Sequence, residues 1–465
     1  MLALRGFQPV AVASALEALQ AAPTKEGAPA VLLVQATGTG KTVCAIYCLL
    51  WFLSRWPGKR VLWMVGRRVL VKQAAAEVNK AARLVIESGG AGAGGELAAL
   101  PGQVRVGVEM ASDRALMSGL ASDQVIVASF QSLRRRLSGY DPDDFSLIIV
   151  DEAHNGIADA GYHKVYEHFK TVPRLGLTAT PFNSKGDGMG GFWRKVAYTH
   201  SLTAAIADGD LVPLRARSVP LDGVHIEGVD FDKSELSDKD IAIIEEAFMR
   251  EENLHKMASV IIKEVEFPAI VFCASTKHSA ALADVLNRYE DGEIARHIDC
   301  YQDDALKAKT LEDFKTGSLS VVCNYGLWFE GLDAPRTRSV VFATNTNKVR
   351  WAQGIGRVTR HCCAGSYWQG LRDLGIPVPP EREVAVCTCG ENKRCGWVWD
   401  FFANSAEHDV SGIWNALAPG ASAEDVEAMQ RRLEAEPDAD PVQVVAAVEE
   451  AAAAALAKAA RVQAA

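Results

Sequence analysis

The sequence predicts an α/β protein made of two tandem domains, each a parallel sheet flanked by helices. Short apolar runs, beginning with residues 31–34 and 61–65, alternate with longer segments of helical spacing, which is typical of a parallel sheet covered on both faces. An acidic segment, residues 218–240, interrupts this alternation, and a second alternating set begins at Ala269. The length of 465 residues suits two or three domains of ordinary size.

The first domain is placed at residues 1–220, and a linker at 221–240. Helices are predicted at residues 7–19 and 70–82, and a glycine- and alanine-rich surface loop at 88–102. Its predicted strands are apolar runs bounded by turn residues, at 31–34, 61–65, 125–128, 147–150 and 174–177.

The second domain is placed at residues 241–420. Its predicted strands are residues 269–272, 320–323, 339–342 and 398–404, and a helix is predicted at 279–289. A small cysteine-containing insertion occupies residues 361–395. The remaining tail, residues 421–465, is acidic and rich in alanine, and we expect it to be helical.

The amino-acid composition favours a globular protein and argues against a membrane protein. Hydrophobic residues make up 49% of the chain and charged residues 23%, which is typical of a globular protein. No apolar run is long enough to cross a bilayer, the N-terminus lacks the pattern of a signal peptide, and the ten cysteines are scattered, so we expect a reducing cytoplasm and no membrane partner. The net charge of −9 argues against a uniformly basic nucleic-acid coat but allows a local groove.

A phosphate-binding loop is predicted between the first strand and the helix that follows it. The segment 35–42 reads Gln-Ala-Thr-Gly-Thr-Gly-Lys-Thr, and its glycines let backbone N–H groups curl around an anion. In such a loop Lys41 reaches the β- and γ-phosphates and the Thr42 hydroxyl binds Mg²⁺. The general pattern begins with Gly, where this chain has Gln35, so a simple glycine turn is the alternative. The nucleotide-binding candidates here are Thr37, Gly38, Thr39, Gly40, Lys41 and Thr42.

A pair of carboxylates follows the fourth predicted strand. Asp151 and Glu152 come directly after the apolar run 147–150. Asp151 would hold Mg²⁺, and Glu152 would orient and deprotonate the attacking water. Without the upstream phosphate loop, two adjacent acids would equally well indicate a solvated strand end.

Residues 151–154 read Asp-Glu-Ala-His, which is a DEAH box, and the chain resembles superfamily 2 helicases. It is most similar to phage-type DEAH-box helicases and to the motor (res) subunits of type I and type III restriction enzymes. Residues 36–42 have that superfamily's form of the phosphate loop, which does not need Gly at its first position. The resemblance covers roughly residues 4–415 and implies two RecA-like domains that use ATP and Mg²⁺.

The resemblance also implies roles for individual residues. Gln8 would read the adenine edge, and His154, Thr178 and Thr180 would couple hydrolysis to domain motion. In the second domain the matching motifs are residues 330–335 and 353–360. Their assigned residues are Gly331 and Asp333 at the nucleotide, and Gln353, Arg357 and Arg360 at the γ-phosphate. An arginine that reaches the phosphoryl group supplies about 10³–10⁵ in rate, and placing it on the other domain makes catalysis depend on closure.

Nucleic-acid contacts are assigned from family position alone. They are Arg67, Arg68, Ser129, Gln131, Ser275 and Asn324, whose donors suit sequence-independent contact with phosphate. Arg67 and Arg68 are equally consistent with an ordinary surface pair. In the fifth motif this chain has Phe329 where the family usually has a Thr that touches the nucleic-acid backbone.

The insertion contains cysteines that suggest a small zinc site. The candidate ligands are Cys363, Cys387, Cys389 and Cys395, close to Cys362 and His361. Their spacing is not the paired Cys-x-x-Cys form, so free thiols in a surface insertion are the alternative.

The function predicted from these motifs is that of an ATP-dependent helicase or translocase, which hydrolyses ATP between two RecA-like domains to move along or unwind nucleic acid. The phage and restriction resemblance favours DNA, double-stranded or branched, over RNA, and a bacterial or phage-infected cytoplasm. The C-terminal tail is a candidate docking segment for a protein partner. Two alternatives remain: a motor subunit of a restriction or defence complex, and a non-motor, ATP-gated DNA clamp.

Overall fold

The structure is a computed structural model. It describes residues 4–66, 71–87, 103–110, 113–117, 122–156, 160–179, 192–219, 221, 237–290, 292–299, 301–327, 332, 334–344, 348–378 and 380–401. The chain divides into a first unit, residues 1–183 and 187–201, and a second unit, residues 184–186 and 202–465.

The first unit alternates strands with helices along most of its length. Its strands are β1 (Ala30–Gln35), β2 (Arg60–Val65), β3 (Val106–Glu109), β4 (Val125–Ser129), β5 (Phe145–Val150), β6 (Arg174–Thr178) and β7 (Lys195–His200). Its helices are α1 (Gln8–Leu19), α2 (Lys41–Arg55), α3 (Val71–Glu87), α4 (Phe130–Arg135) and α5 (Ala160–His168).

These strands form one sheet in the order β3-β4-β2-β5-β6-β1-β7. Every pairing in it is parallel, so the carboxyl ends of β1, β6 and β5 lie side by side at one edge. The segment after β1 is the predicted phosphate loop, and the segment after β5 is the acidic pair. The sheet topology therefore brings the two motifs together although they are more than a hundred residues apart in the chain.

Apolar layers cover both faces of this sheet. Helices α1, α2 and α3 pack on one face, and all residues of α2 from Cys44 to Leu53 are buried. Helices α4 and α5 pack on the other face, where Phe130 stacks on Tyr162 with ring centroids 3.5 Å apart. Burial of one large apolar side chain contributes about 1.5–3 kcal/mol, so the strand end beside α2 is held rigidly.

The second unit contains the remaining elements. Its strands are β8 (Leu214–Ser218), β9 (Ala269–Cys273), β10 (Ala295–Ile298), β11 (Val321–Asn324), β12 (Ser339–Ala343) and β13 (Gly396–Asp400). Its helices are α6 (Leu202–Ala207), α7 (Asp238–Phe248), α8 (Glu251–Glu264), α9 (Thr276–Tyr289), α10 (Asp304–Thr316), α11 (Lys348–Ile355) and α12 (Ala364–Asp373).

These strands form a second parallel sheet in the order β10-β11-β9-β12-β13-β8. The chain enters this unit at Leu202, earlier than the predicted boundary at 220. The reason is β8, which pairs with β13 from Leu214 to Ser218 and so belongs to the second sheet. The acidic connector therefore follows the first strand of the second unit instead of preceding it.

Close packing holds α11 on the second sheet. A Cβ at Gly354 would lie 2.7 Å from the Phe342 ring and 3.0 Å from the Phe272 ring. Trp351 stacks on Phe342 with ring centroids 4.0 Å apart. Glycine is needed at residue 354 because the helix backbone rests directly on two aromatic rings, and this contact fixes the segment that carries Gln353 and Arg357.

Nine predicted strands correspond to observed ones, whereas β3, β7, β8 and β10 were not predicted. The predicted helical tail at 421–465 and most of the predicted linker lie outside the described residues. Among the helices that the structure describes, none is long and apolar enough to span a membrane.

Candidate nucleotide-binding site

The loop after β1 has the conformation that a phosphate group requires. Gly38 and Gly40 have φ of 93° and 91°, a left-handed region that favours glycine. Gly40 is the N-cap of α2, and no side chain caps this helix. The first N–H groups of α2 and its positive dipole end are therefore available to an anion.

Lys41, the first residue of α2, bends back over the loop. Its Nζ donates to the carbonyl oxygen of Gln35 at 3.1 Å and to that of Ala36 at 3.5 Å. A phosphate oxygen is a stronger, charged acceptor than these neutral carbonyls, so a bound phosphate can draw the ammonium group away from them. The loop thus holds its cation close to the place where the anion is expected.

Gln8 supports this loop directly. Its Nε2 donates to the Thr39 carbonyl oxygen at 2.8 Å, and its Oε1 accepts from the backbone N–H of Arg5 at 3.1 Å. Gln8 is 3% exposed. In this conformation its amide buttresses the phosphate loop, and it would have to exchange these bonds to read an adenine edge.

The acidic pair lies at the carboxyl end of β5. The Asp151 N–H donates to the Met64 carbonyl oxygen at 2.9 Å, which continues the pairing with β2, and the Asp151 Oδ1 accepts from the Glu152 N–H at 3.0 Å. Glu152 has φ of 47°, an uncommon, strained value for a residue other than glycine. Its buried Oε2 has no hydrogen-bond partner within the described part of the chain, which suits a carboxylate that holds a water molecule.

The pKa of Asp151 is raised, chiefly because its carboxyl group is buried. Together with the neighbouring Glu152 carboxylate, burial raises the pKa of Asp151 to about 7, while the Lys41 ammonium group opposes this shift. A divalent cation beside Asp151 would favour its ionised form. The residues present therefore fit Mg²⁺, with Asp151 and the Thr42 hydroxyl as the expected ligands.

His154 and Thr178 meet at the same sheet edge. The His154 Nδ1 lies 3.1 Å from the Thr178 Oγ1 at the end of β6, and 3.5 Å from the Glu152 Oε2. Both residues are buried. The hydrogen bond links the acidic motif to the predicted coupling motif, and its other member, Thr180, lies outside the described residues.

In the second unit, the predicted arginines lie on the turn after α11. Arg357 is 6% exposed and donates to the Leu332 carbonyl oxygen at 2.8 Å, and Arg360 donates to the same oxygen at 3.2 Å. Gln353 is buried, and its Nε2 has no hydrogen-bond partner among the residues that the structure describes. The Leu332 carbonyl oxygen therefore accepts a hydrogen bond from each of Arg357 and Arg360, and the two guanidinium groups lie close together. Gly331 and Asp333, on either side of Leu332, lie outside the described residues.

Three of the six predicted nucleic-acid contacts make hydrogen bonds within the fold. Ser129 caps α4 by accepting from the Ser132 N–H at 3.3 Å, and Ser275 caps α9 by accepting from the His278 N–H at 3.1 Å. Asn324 is fully buried and its Nδ2 donates to the Val271 carbonyl oxygen at 3.0 Å. These three side chains are buried and hydrogen-bonded within the fold in this structure, and their contact with nucleic acid stays a prediction.

The remaining predicted nucleic-acid contacts are Gln131 and the pair Arg67 and Arg68. Gln131 is exposed on α4, so it is the described candidate whose side chain can reach a ligand. Arg67 and Arg68 lie outside the described residues.

The cysteines of the insertion form a different set from the predicted one. The Sγ atoms of Cys362, Cys363, Cys387 and Cys389 all lie within 4.8 Å of one another, and Cys395 is not part of this group. The sequence pattern did not single out Cys362 because a neighbouring pair of cysteines is not a common ligand spacing. In the structure Cys362 is buried, and its Sγ lies 3.6 Å from the Cys387 Sγ.

Comparison with known proteins agrees with this geometry. Residues 1–183 match the family described as "Type III restriction enzyme, res subunit". The chain is 25% identical over 376 residues to a Saccharomyces cerevisiae protein assigned as the ATP-dependent helicase IRC3, covering 77% of this chain and 49% of that protein. The chain is therefore similar to ATP-dependent helicases over most of its length.

A second curated relative points to restriction enzymes. The chain is 26% identical over 383 residues to the EcoAI type I restriction endonuclease subunit of Escherichia coli, covering 77% of this chain and 44% of that subunit. The chain spans about half the length of the curated relatives it matches.

One solved structure supports the fold. A Vibrio vulnificus YJ016 fragment, assigned as the HsdR subunit of a type I restriction enzyme, matches with a TM-score of 0.56 and 20% identity, over 86% of this chain and 64% of that chain. The chain therefore has the predicted α/β fold with tandem RecA-like domains.

Proposed function

We propose that this chain hydrolyses ATP to ADP and phosphate and uses the free energy to move along or unwind DNA. The observation that carries the proposal is the arrangement at the carboxyl ends of β1, β6 and β5. There an uncapped helix start, a lysine, two carboxylates and a histidine–threonine hydrogen bond lie at one sheet edge. Phosphoryl transfer needs chiefly positioning and positive charge, and this edge supplies both.

Each residue has a defined task in this proposal. Lys41 and the N–H groups of α2 bind the phosphates, and Asp151 with Thr42 holds the Mg²⁺ that neutralises their charge. Glu152 holds the attacking water and accepts its proton. The hydrogen bond between His154 and Thr178 lies beside Glu152. It would couple phosphate binding and release to movements elsewhere in the first unit.

We also propose that Arg357 and Arg360 supply positive charge to the γ-phosphate during hydrolysis. In this structure both guanidinium groups donate to the Leu332 carbonyl oxygen. A phosphate oxygen accepts a stronger, charge-assisted hydrogen bond from a guanidinium group than a neutral carbonyl oxygen does. Arg357→Ala should lose hydrolysis while nucleotide affinity changes little, and equal loss of both would argue for a structural role.

The site is tested by the isosteric Glu152→Gln variant. It should retain ATP binding but reduce turnover by about 10²–10⁴-fold, the usual contribution of a general base. The matched control is Glu167→Gln, which changes an exposed acid of α5 and should leave turnover unaffected. Normal turnover in Glu152→Gln would refute the assignment of this carboxylate.

The substrate is tested by phosphate release with double-stranded DNA, single-stranded DNA and RNA, each at a stated salt concentration because affinity depends on it. We expect DNA to stimulate turnover more than RNA does. A rate that no nucleic acid changes would contradict a motor. Displacement of a DNA triplex would show movement along DNA, whereas ATP-dependent binding without displacement would indicate a clamp.

A second candidate function is that of a motor subunit in a restriction or defence complex. Two observations favour it: the match of residues 1–183 to the res-subunit family, and the similarity to a restriction subunit more than twice as long as the matched region. Purification of a tagged chain from its own host should then recover a DNA methyltransferase or nuclease. Recovery of the chain alone, with full DNA-stimulated turnover, would favour a free-standing enzyme.

A further inference from the structure

The second unit contains a cluster of four thiols that the ATPase chemistry does not use. Cys362 and Cys363 lie just before α12, and Cys387 and Cys389 lie in the loop that leads to β13. We propose that these four cysteines bind one structural zinc ion. The proposal concerns metal content and is independent of the ATPase and DNA assignments.

The distances fit a zinc tetrathiolate. Cys387 Sγ lies 3.6 Å from Cys362 Sγ, 3.7 Å from Cys363 Sγ and 3.4 Å from Cys389 Sγ. Four sulfurs at the usual Zn–S distance of about 2.3 Å around a tetrahedral centre lie about 3.8 Å apart. Disulfide-bonded sulfurs lie only about 2.05 Å apart, so the observed spacing matches a shared metal ion and not a pair of disulfides.

Backbone groups around the sulfurs are arranged to stabilise thiolates. The Asn392 N–H donates to Cys387 Sγ at 3.3 Å, and the Ser366 N–H donates to Cys363 Sγ at 3.4 Å. Gly390 and Asn392 have φ of 79° and 46°, so the chain turns back sharply after Cys389 to deliver one of these donors. Hydrogen bonds to the ligand atoms orient metal ligands and tune their basicity.

The two segments that carry the ligands are packed backbone to backbone. A Cβ at Gly365, in the first turn of α12, would collide with the Val386 carbonyl oxygen. The Ser366 hydroxyl also donates to the Lys393 carbonyl oxygen at 3.5 Å. The four sulfurs are therefore held close together by the surrounding fold, which reduces the ordering cost of binding a metal ion.

The zinc ion would join two parts of the second unit. Cys362 follows Arg360 by two residues, and the loop with Cys387 and Cys389 leads into β13. The ion would therefore tie the end of the arginine segment to the strand that joins β12 to β8. This fixes the place from which Arg357 and Arg360 extend.

The first test is metal analysis of the full chain, purified under reducing conditions without a chelator. We expect about one equivalent of zinc for one four-thiolate site. Cys387→Ser and Cys389→Ser should each lower the zinc content at least about tenfold. Cys395→Ser is the matched control, because this thiol belongs to the same segment but not to the cluster, and its zinc content should equal that of the unchanged chain.

The second test does not depend on how the variants fold. Zinc is removed from the unchanged chain with a chelator, and Co²⁺ is added. Thiolate-to-cobalt absorption bands with the pattern of tetrahedral coordination would support the site. Less than about a tenth of an equivalent of zinc in the purified chain, together with no cobalt–thiolate bands, would overturn the proposal. Equal zinc loss in Cys395→Ser would also overturn the assigned ligand set.

Discussion

The two units differ at the N-terminus of one helix each: α2 in the first unit has no side-chain cap, whereas α9 in the second unit has one. In each, a fully buried strand leads through a short turn into a helix, β1 into α2 and β9 into α9. The first turn has left-handed Gly38 and Gly40 and leaves α2 uncapped. In the second, the Ser275 side chain accepts the His278 N–H and closes the end of α9. A parallel sheet offers an anion-binding helix start in both units, but only the uncapped one is free to bind a phosphate.

The largest expected effect comes from removing the charge at the uncapped helix start. Lys41→Ala should reduce ATP turnover by about 10²–10³-fold, because one fewer positive group stabilises the transferred phosphoryl group. The matched change in the second unit, Ser275→Ala, should alter turnover less than about twofold if its helix start binds no phosphate. Phosphate release by both variants measures this contrast. Similar losses in both would mean that the two helix starts do not differ as proposed.

A smaller effect should follow from filling the space beside Gly40. A Cβ there would lie 2.5 Å from Gln8 Nε2, and the φ of 91° is strained for alanine. Gly40→Ala should therefore weaken ATP binding by about ten- to a hundredfold, given 1–3 kcal/mol of strain.

Gly58→Ala is the control for that experiment. Gly58 has a similar φ of 89° but nothing within 4 Å of its Cβ position, so this variant carries the backbone strain without the collision. Calorimetric titration with a nonhydrolysable ATP analogue should show unchanged affinity for it. If both variants bind equally weakly, the loss comes from general strain and not from the phosphate loop.

The stability of the second unit should fall at acid pH because of His278, which lies at the capped N-terminus of α9. His278 is fully buried, its Nδ1 accepts the Ala274 N–H at 3.2 Å, and burial lowers its pKa to about 3. The unfolded chain, with a His pKa of about 6.5, then binds more protons than the folded one. The stability due to neutral His278 is present above pH 6.5 and is lost progressively as the pH falls toward 3.

At pH 5 this linkage costs about 2 kcal/mol of unfolding free energy relative to neutral pH. Urea unfolding at pH 7.5 and pH 5 should show the loss in the unchanged chain, and His278→Gln should lack that part of it. An identical pH dependence in both proteins would exclude His278 as its cause.

The smallest effect concerns the cap itself. Ser275→Ala should lower the unfolding free energy of the second unit by about 1 kcal/mol, the usual value of a serine N-cap. Ser275→Asp is the matched rescue, because an aspartate can also accept the N–H, and it should restore most of the loss. Equal stability of all three proteins in urea would show that the cap contributes nothing measurable.

Local patterns predicted much of this fold. The phosphate loop and the acidic pair were recognised because each is a short motif after an apolar strand, and parallel pairing then brings both to one edge. Strand β8 was missed because its partner, β13, lies almost two hundred residues away. Strand β7 was missed because most of its residues are at least partly exposed, so it lacks the apolar run that predicts a buried strand.

The site was harder to predict where one residue type has two uses. A serine before a helix serves equally well as a cap or as a phosphate contact, and the sequence pattern around Ser129 and Ser275 does not distinguish the two uses. Cys395 lies nearer in sequence to the Cys387–Cys389 pair than Cys362 does. The fold nevertheless excludes Cys395 from the cluster and includes Cys362, because the start of α12 packs against the loop.

The position of β13 between β12 and β8 has a consequence for synthesis on the ribosome. The first sheet can be completed once residue 200 has emerged, because its last strand is β7. Strand β8 emerges soon afterwards, but its partner begins at Gly396. At 5–20 residues per second, β8 stays without its partner strand for roughly 9 to 36 seconds. During this interval a nascent chain exposes a sheet edge, so this is the stage at which chaperones would protect it and aggregation would begin.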